Sequence, residues 1–164
     1  MFVRVETPEQ IETVACLARP IWREHYEPIC GCNQVEYMLE QFQSVPAITK
    51  QIREENYQYY LIAPDGGAPV GYLAVQLRAE EMFFSKLYLQ KPARGKGYGR
   101  AAIEFAAGIS KASSKPYMML TVNRKNKDTI AAYQKCGFYI HEGKITDIGN
   151  GFVMDDYILR KDTP

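Results

Sequence analysis

The sequence predicts an α/β (α+β) fold in which helices flank a mixed β-sheet. Segments with strand composition alternate with segments whose apolar residues recur at helical spacing. A glycine-rich turn at residues 91–100 connects one central strand directly to a helix. The chain has 164 residues, of which 46% are hydrophobic and 24% charged. These values are typical of one soluble globular domain, so we expect a single domain over residues 1–164.

The N-terminal third is predicted to contain one strand and three helices. Residues 2–5 alternate apolar and polar side chains, as a short strand does. Residues 7–10, Thr-Pro-Glu-Gln, combine an N-cap, a proline at the first helical position and the glutamine of a capping box. After a turn in PICGCN, Asn33 is placed to cap a second helix. Pro46 is expected to end that helix before a third, short one over residues 48–53.

The remaining elements are predicted as six strands and two helices. Residues 57–63 and 70–77 form a hairpin around the turn PDGGAP. The strand at residues 82–89 runs into the glycine-rich turn, and a helix with a strong apolar face follows it. A further strand and helix end at Gly137, which has the position of a helix C′ residue. In this last part, strands are expected at residues 117–122, 138–145 and 152–159, and a helix is expected at residues 126–135.

Charge and hydropathy exclude several classes of protein. A net charge of +1 gives no broad basic surface for a nucleic acid. No apolar run approaches the roughly 18 residues of a membrane span, and the N-terminus has no signal-peptide pattern, so we expect a cytoplasmic protein without a membrane partner. Cys30-Gly-Cys32 lies near His25, but its spacing differs from that of structural zinc sites. No metal site is predicted.

The glycine-rich turn, KPARGKGYGR, is the most informative segment of the chain. A strand that enters a helix through glycines leaves the first N–H groups of the helix unpaired, and the helix dipole there favours an anion. Neither phosphate-binding pattern, G-x-x-x-x-G-K-[ST] nor G-x-G-x-x-G, is present. We therefore expect a different ligand with a pyrophosphate. Its binding residues are three glycines and three interleaved cations, Gly95, Gly97, Gly99, Arg94, Lys96 and Arg100.

The same turn resembles a known protein family. Arg94-x-x-Gly97-x-Gly99 matches the [QR]-x-x-G-x-[GA] signature of the GCN5-related N-acetyltransferases (GNAT), whose loop holds the pyrophosphate of acetyl-coenzyme A. A second segment, LTVNRKNKDTIAAYQKCGF, is similar to the family's next strand and helix, with Asn126 and Tyr133 in register. The resemblance covers about residues 82–138. It implies the GNAT fold, a mostly antiparallel sheet of six to seven strands flanked by about four helices.

The resemblance also implies an activity. GNAT enzymes transfer an acetyl group directly from acetyl-coenzyme A to an amine in a ternary complex, so the expected acceptor is a primary amine of a small molecule or a protein. The alternative is a non-catalytic module that binds or senses coenzyme A or acetyl-coenzyme A. Members often form dimers through their last strands, which makes a homodimer compatible with the resemblance.

By analogy with the family, Tyr133 is the general acid that protonates the leaving thiolate, although a tyrosine there is also compatible with core packing. The general base stays open because residues 82–89 contain no carboxylate. Glu81, with Glu80 beside it, is the candidate, and a solvated strand edge is the other interpretation. Helix capping alone would also explain Asn126.

The resemblance implies two sets of binding residues. Those expected to bind acetyl-coenzyme A are Leu87, Tyr88, Leu89, Arg94, Gly95, Lys96, Gly97, Tyr98, Gly99, Arg100, Asn126 and Tyr133. Acceptor specificity in the family resides in the first two helices and the last strands. The aromatic and charged residues there that we expect to bind the acceptor are Trp22, His25, Tyr26 and Asp155; packing or surface positions would also explain each of them.

Overall fold

A computed structural model describes residues 1–164 as one seven-stranded mixed sheet with five α-helices, which confirms the predicted fold class. The strands are β1 (Phe2–Arg4), β2 (Tyr57–Ile62), β3 (Gly71–Leu77), β4 (Met82–Leu89), β5 (Tyr117–Asn123), β6 (Tyr139–Gly149) and β7 (Phe152–Asp162). The helices are α1 (Pro8–Cys30), α2 (Cys32–Gln43), α3 (Val45–Glu54), α4 (Tyr98–Ala112) and α5 (Lys127–Lys135). The strand order is β1-β2-β3-β4-β5-β7-β6. Only β4 and β5 are parallel neighbours.

The start of α1 follows the predicted capping box, but its end does not follow the predicted turn. Thr7 accepts a hydrogen bond from the Gln10 N–H, and the Gln10 side chain reaches back to the Thr7 N–H. Pro28 stays inside the helix, and the chain breaks at Gly31, where φ is +84°. Since this backbone angle favours glycine, Gly31 rather than Asn33 stands at the start of α2.

The third helix corrects the interpretation of Pro46. This proline lies in the first turn of α3, where its missing N–H costs nothing, and it does not end α2. Ser44 separates the two helices, and its hydroxyl accepts a hydrogen bond from the Ala47 N–H at 3.3 Å.

Each face of the sheet has its own hydrophobic core. The first core lies under α1, α2 and α3 and includes Val14 and Tyr59. The second core lies under α4 and α5 and includes Phe84, Ile103 and Leu159. The helices thus cover both faces, as the alternating pattern of the sequence predicts. No helix is both long and apolar enough to span a membrane.

The sheet opens between β4 and β5. The two strands pair only at Met82–Met118 and Phe83–Met119, although both continue for several more residues. On the other side of β4, the Gln90 N–H bonds to the Val70 carbonyl at 2.9 Å. In an antiparallel ladder every second residue bonds to the same neighbouring strand, so Tyr88, two residues before Gln90, also faces β3 with its backbone groups. The backbone groups of Leu87 and Leu89, which alternate with them, point away from β3 into the opening.

Gly71 keeps β3 close to β4. A Cβ at this position would overlap the carbonyl oxygen of Tyr88 and crowd Leu89. We expect Gly71→Ala to lower the free energy of unfolding by about 1–3 kcal/mol, measured by urea denaturation. Gly108→Ala in α4 is the control, since its Cβ would meet nothing within 4 Å; it should stabilise the protein by about 0.5–1 kcal/mol. Equal stability of the two variants would contradict the proposed close approach.

Candidate active site

A cavity of about 510 Å³ lies where β4 and β5 separate. From β5, Leu120 and Val122 line it with side chains that belong to the second core, whereas Thr121 between them points to the opposite face. Ile21 of α1 and Ile103 of α4, which belong to different cores, also line it. The cavity is therefore bounded by side chains from both faces of the sheet.

One end of the cavity is bounded by the start of α4. Gly95 and Gly97 have φ values of +75° and +87°, and no atom lies within 4 Å of the position that a Cβ would take in either residue. The backbone N–H groups of residues 95–100 have no hydrogen-bond acceptor within the chain. The first backbone bond of the helix runs from the Ala101 N–H to the Gly97 carbonyl at 3.0 Å. This segment combines unpaired donors with the positive end of a helix dipole, which suits a pyrophosphate.

Arg94 attaches this loop to its neighbours. Its Nε donates to the Leu89 carbonyl at 3.0 Å, and its Nη1 lies 2.8 Å from the Glu24 carboxylate on α1. Arg94 and Arg100 line the cavity, whereas Lys96 and Tyr98 line a separate cavity of about 260 Å³. Arg94 thus fixes the loop relative to β4 and α1.

Tyr133 of α5, the predicted general acid, lines the cavity. Its ring packs against Phe138 with centroids 5.4 Å apart, and its hydroxyl makes no hydrogen bond within the chain. Burial raises the pKa of the Tyr133 phenol, with the nearby Tyr26 as a further cause. The hydroxyl therefore holds its proton at neutral pH.

Asn126 and His25 form a hydrogen-bonded pair at the cavity. The Asn126 amide lies 2.6 Å from His25 Nε2, and the Asn126 side chain makes no capping bond to α5. Burial lowers the pKa of His25, and the Arg94 charge lowers it further. A neutral ring that accepts the amide proton at Nε2 carries its own proton on Nδ1. Helix capping by its side chain therefore does not explain Asn126.

Aromatic residues form the α1 side of the cavity. The hydroxyls of Tyr26 and Tyr88 lie 2.7 Å apart, and both residues line it. Burial raises the pKa of Tyr26 to about 12, so this pair is uncharged. Trp22 lies behind them with 4% of its surface exposed, and its indole N–H donates to the Tyr72 hydroxyl at 2.9 Å. Trp22 supports the wall of the cavity and does not line it.

The structure does not bring Glu81 or Asp155 to the cavity. Glu81 precedes β4 at the end where the two central strands are still paired, and its carboxylate accepts a hydrogen bond from Tyr117 at 3.1 Å. The backbone of Leu87 and Leu89 in the opening lies further along the strand, roughly 20 Å or more from Glu81 at the usual rise per residue. Asp155 forms an ion pair with Arg124 at 2.6 Å and is half exposed. Neither residue lines the cavity.

Ser85 and Thr121 line the cavity without having been predicted to do so. Ser85 is the extra residue of a β-bulge, because Lys86 pairs with Ala74 and Phe84 with Val75. A bulge of this kind has no signal in an isolated sequence. Thr121 differs, since its alternation with Leu120 and Val122 marks the polar face of β5.

A protein-family model described as the acetyltransferase (GNAT) family matches residues 19–138. The chain belongs to this family. GNAT proteins use acetyl-coenzyme A as co-substrate, so the predicted family and co-substrate are confirmed. A search of curated protein sequences finds no significant match.

Solved structures show the same GNAT fold at low sequence identity. The PaiA N-acetyltransferase of Thermoplasma acidophilum, in complex with coenzyme A, has 20% identity and a TM-score of 0.80 over 99% of both chains. A chimera of the spermidine N-acetyltransferase SpeG of Vibrio cholerae and hSSAT has 13% identity and a TM-score of 0.70, covering 99% of this chain and 95% of its own. A protein of the GNAT family from Desulfovibrio desulfuricans has 14% identity and a TM-score of 0.72, covering 100% of this chain and 99% of its own.

Proposed function

We propose that this GNAT protein transfers an acetyl group from acetyl-coenzyme A directly to a primary amine of a small molecule or a protein. The observation that carries the proposal is the group of unpaired N–H donors at residues 95–100. These donors lie beside the cavity at the opening of the sheet, which Tyr133 also lines. Two solved relatives agree with it, since PaiA is described with coenzyme A and SpeG as a spermidine N-acetyltransferase.

The chain offers two backbone surfaces for acetyl-coenzyme A. The donors of residues 95–100 would hold the pyrophosphate, with the α4 dipole and Arg100 adding positive potential. The backbone groups of Leu87 and Leu89, which point into the opening, would pair with the amide-containing arm. Acetyl-coenzyme A supplies the thioester that reacts. The predicted contacts of Lys96 and Tyr98 would lie outside the large cavity, in the neighbouring smaller one.

The side chains at the cavity would handle protons. Tyr133 holds a proton on a hydroxyl without a partner in the chain, which suits a general acid for the departing thiolate. His25 is neutral, and its hydrogen bond to Asn126 fixes the orientation of the ring. It would therefore help to position the acceptor without adding a positive charge to the cavity. Tyr26 would bound the acceptor on the α1 side.

The absence of Glu81 from the cavity favours the alternative, a non-catalytic module, as the second candidate. The two functions share the binding of acetyl-coenzyme A and differ in turnover. The purified chain should therefore be titrated with acetyl-coenzyme A by calorimetry and then assayed for release of free thiol with spermidine, propylamine and a lysine-containing peptide. We expect binding and amine-dependent thiol release. Binding without release for any amine would favour the non-catalytic module, and no binding would contradict both functions.

A further inference from the structure

Asp156 on β7 is a buried carboxylate without a hydrogen-bond partner. Only 5% of its surface is exposed, and its Oδ1 atom is enclosed and unpaired. Its Oδ2 atom also makes no hydrogen bond in the chain, but it is not enclosed in the same way. Buried carboxylates are normally paired because an uncompensated charge is costly. An unpaired one therefore requires an explanation, and a cationic ligand is one group that would satisfy both oxygens in their ionised form.

The register of the sheet places Asp156 on the α1 side of the opening. Asp156 pairs with Asn123 of β5, and Asn123 lies two residues after Thr121, a residue that lines the cavity. Residues two apart on a strand share a face, and so do directly paired residues on neighbouring strands. Met154, two residues before Asp156, packs against the first core. Asp156 therefore belongs to the same face as Tyr26, which lines the cavity, although Asp156 itself is not one of the residues that line it.

The charged and titratable groups around Asp156 leave it without a partner. Tyr26 of α1 is close enough for the Asp156 charge to contribute to its raised pKa. Lys144 lies opposite Asp156 on β6 but forms no ion pair with it. Asp155 is occupied by Arg124. Burial raises the pKa of Asp156 to about 6, with the Asp155 charge adding to the rise and Lys144 opposing it.

We propose that Asp156 binds an ammonium group of the acceptor, so that the acceptor is a cationic alkyl amine. Three N–H donors of an ammonium match a carboxylate whose oxygens are unpaired, and the Tyr26 ring beside it offers a surface that attracts cations. The proposal rests on the proposed acetyltransferase function for its biological meaning. Binding of the amine can nevertheless be tested without turnover.

The test compares Asp156→Asn with Asp162→Asn. Both changes remove one carboxylate from β7, but Asp162 is exposed near the end of the strand. Calorimetric titration of spermidine into each protein, with coenzyme A present, should show at least about 10-fold weaker binding for Asp156→Asn and unchanged binding for Asp162→Asn. If the wild type binds no spermidine, or if Asp156→Asn binds it equally well, the inference is overturned. Failure of the proposed function would instead appear as absent thiol release.

Two further readouts separate ligand binding from a structural role. Spermidine binding by the wild type should weaken by about fivefold from pH 7.5 to pH 5 because Asp156 takes up a proton near pH 6; this part of the change should be absent in Asp156→Asn, which retains only the contribution of His25 at the cavity. Because the pKa of Asp156 is raised from 3.8 to about 6 in the folded state, its ionisation lowers stability progressively between these pH values, and the full cost is present above about pH 6. Asp156→Asn should therefore have an equal or higher Tm at pH 7.5. A lower Tm, with spermidine binding independent of pH in the wild type, would assign Asp156 a structural role only.

Discussion

Tyr133→Phe should lower kcat by about 100-fold while the KM for acetyl-coenzyme A changes by less than about twofold. The substitution removes only a hydroxyl that faces the cavity and has no hydrogen-bond partner in the chain. The packing of the ring against Phe138 is retained. If the hydroxyl protonates the departing thiolate, its loss affects the transition state and leaves binding of the co-substrate intact. Thiol release at saturating acetyl-coenzyme A, measured with the best amine found, provides the comparison.

The matched control is Tyr60→Phe. The Tyr60 hydroxyl bonds to Gln58 on the same strand and does not line the cavity. We expect its kcat to equal that of the wild type. If Tyr133→Phe also retains full kcat, Tyr133 serves only to pack the core. A loss of kcat with a lower Tm would indicate that the hydroxyl has a structural role instead.

Gly99→Val should weaken the binding of acetyl-coenzyme A by about 100-fold. Gly99 lies in the first turn of α4 beside the unpaired N–H groups, and its own N–H is one of them. The nearest atom to an added Cβ is a Leu89 methyl carbon at 3.9 Å, so the fold itself accommodates the first carbon. The branched side chain would occupy the space where a pyrophosphate approaches the donors. Loss of several charge-assisted hydrogen bonds accounts for a change of this size.

Gly108→Val is the control for this change. Both glycines lie in α4 at ordinary φ values, so valine carries a similar cost in helix propensity at either position. Gly108 faces open space and does not line the cavity. Calorimetry should therefore give wild-type affinity for Gly108→Val. Equal affinities for the two variants would mean that the start of α4 does not hold the pyrophosphate. Gly97 is less suitable, because its φ of +87° would add backbone strain to any substitution.

Local signals in the sequence predicted the elements that depend on local physics. The capping box at residues 7–10 involves atoms within one turn, and it forms as expected. The start of α4 was predicted from the glycine spacing, and the absence of a side-chain cap there leaves its donors open. Tyr133 and Asn126 were located by their register within a family pattern, and both line the cavity.

Contacts between distant elements could not be predicted in the same way. A glutamate next to a strand gives no indication of which end of that strand separates from its neighbour, so Glu81 was assigned to the site from sequence proximity alone. Trp22 lies on the buried side of α1, and its distance from the cavity depends on how the helix rotates against the sheet. Asp155 and Asp156 are adjacent, yet strand alternation gives one an ion pair at the surface and the other an unpaired buried position.

The opening between β4 and β5 also divides the chain by order of assembly. The strands β2, β3 and β4 form a meander of sequence neighbours, and β6 and β7 form a hairpin on which β5 docks. Short sequence separations favour rapid closure of such contacts during folding. The contact of β4 with β5 and the docking of β5 on β7 both join residues more than 30 positions apart in the chain, but β4 and β5 pair at two positions whereas β5 and β7 pair at seven. The opening therefore lies between a meander and a hairpin that each form from sequence neighbours, at the strand pair where the long-range contacts are fewest.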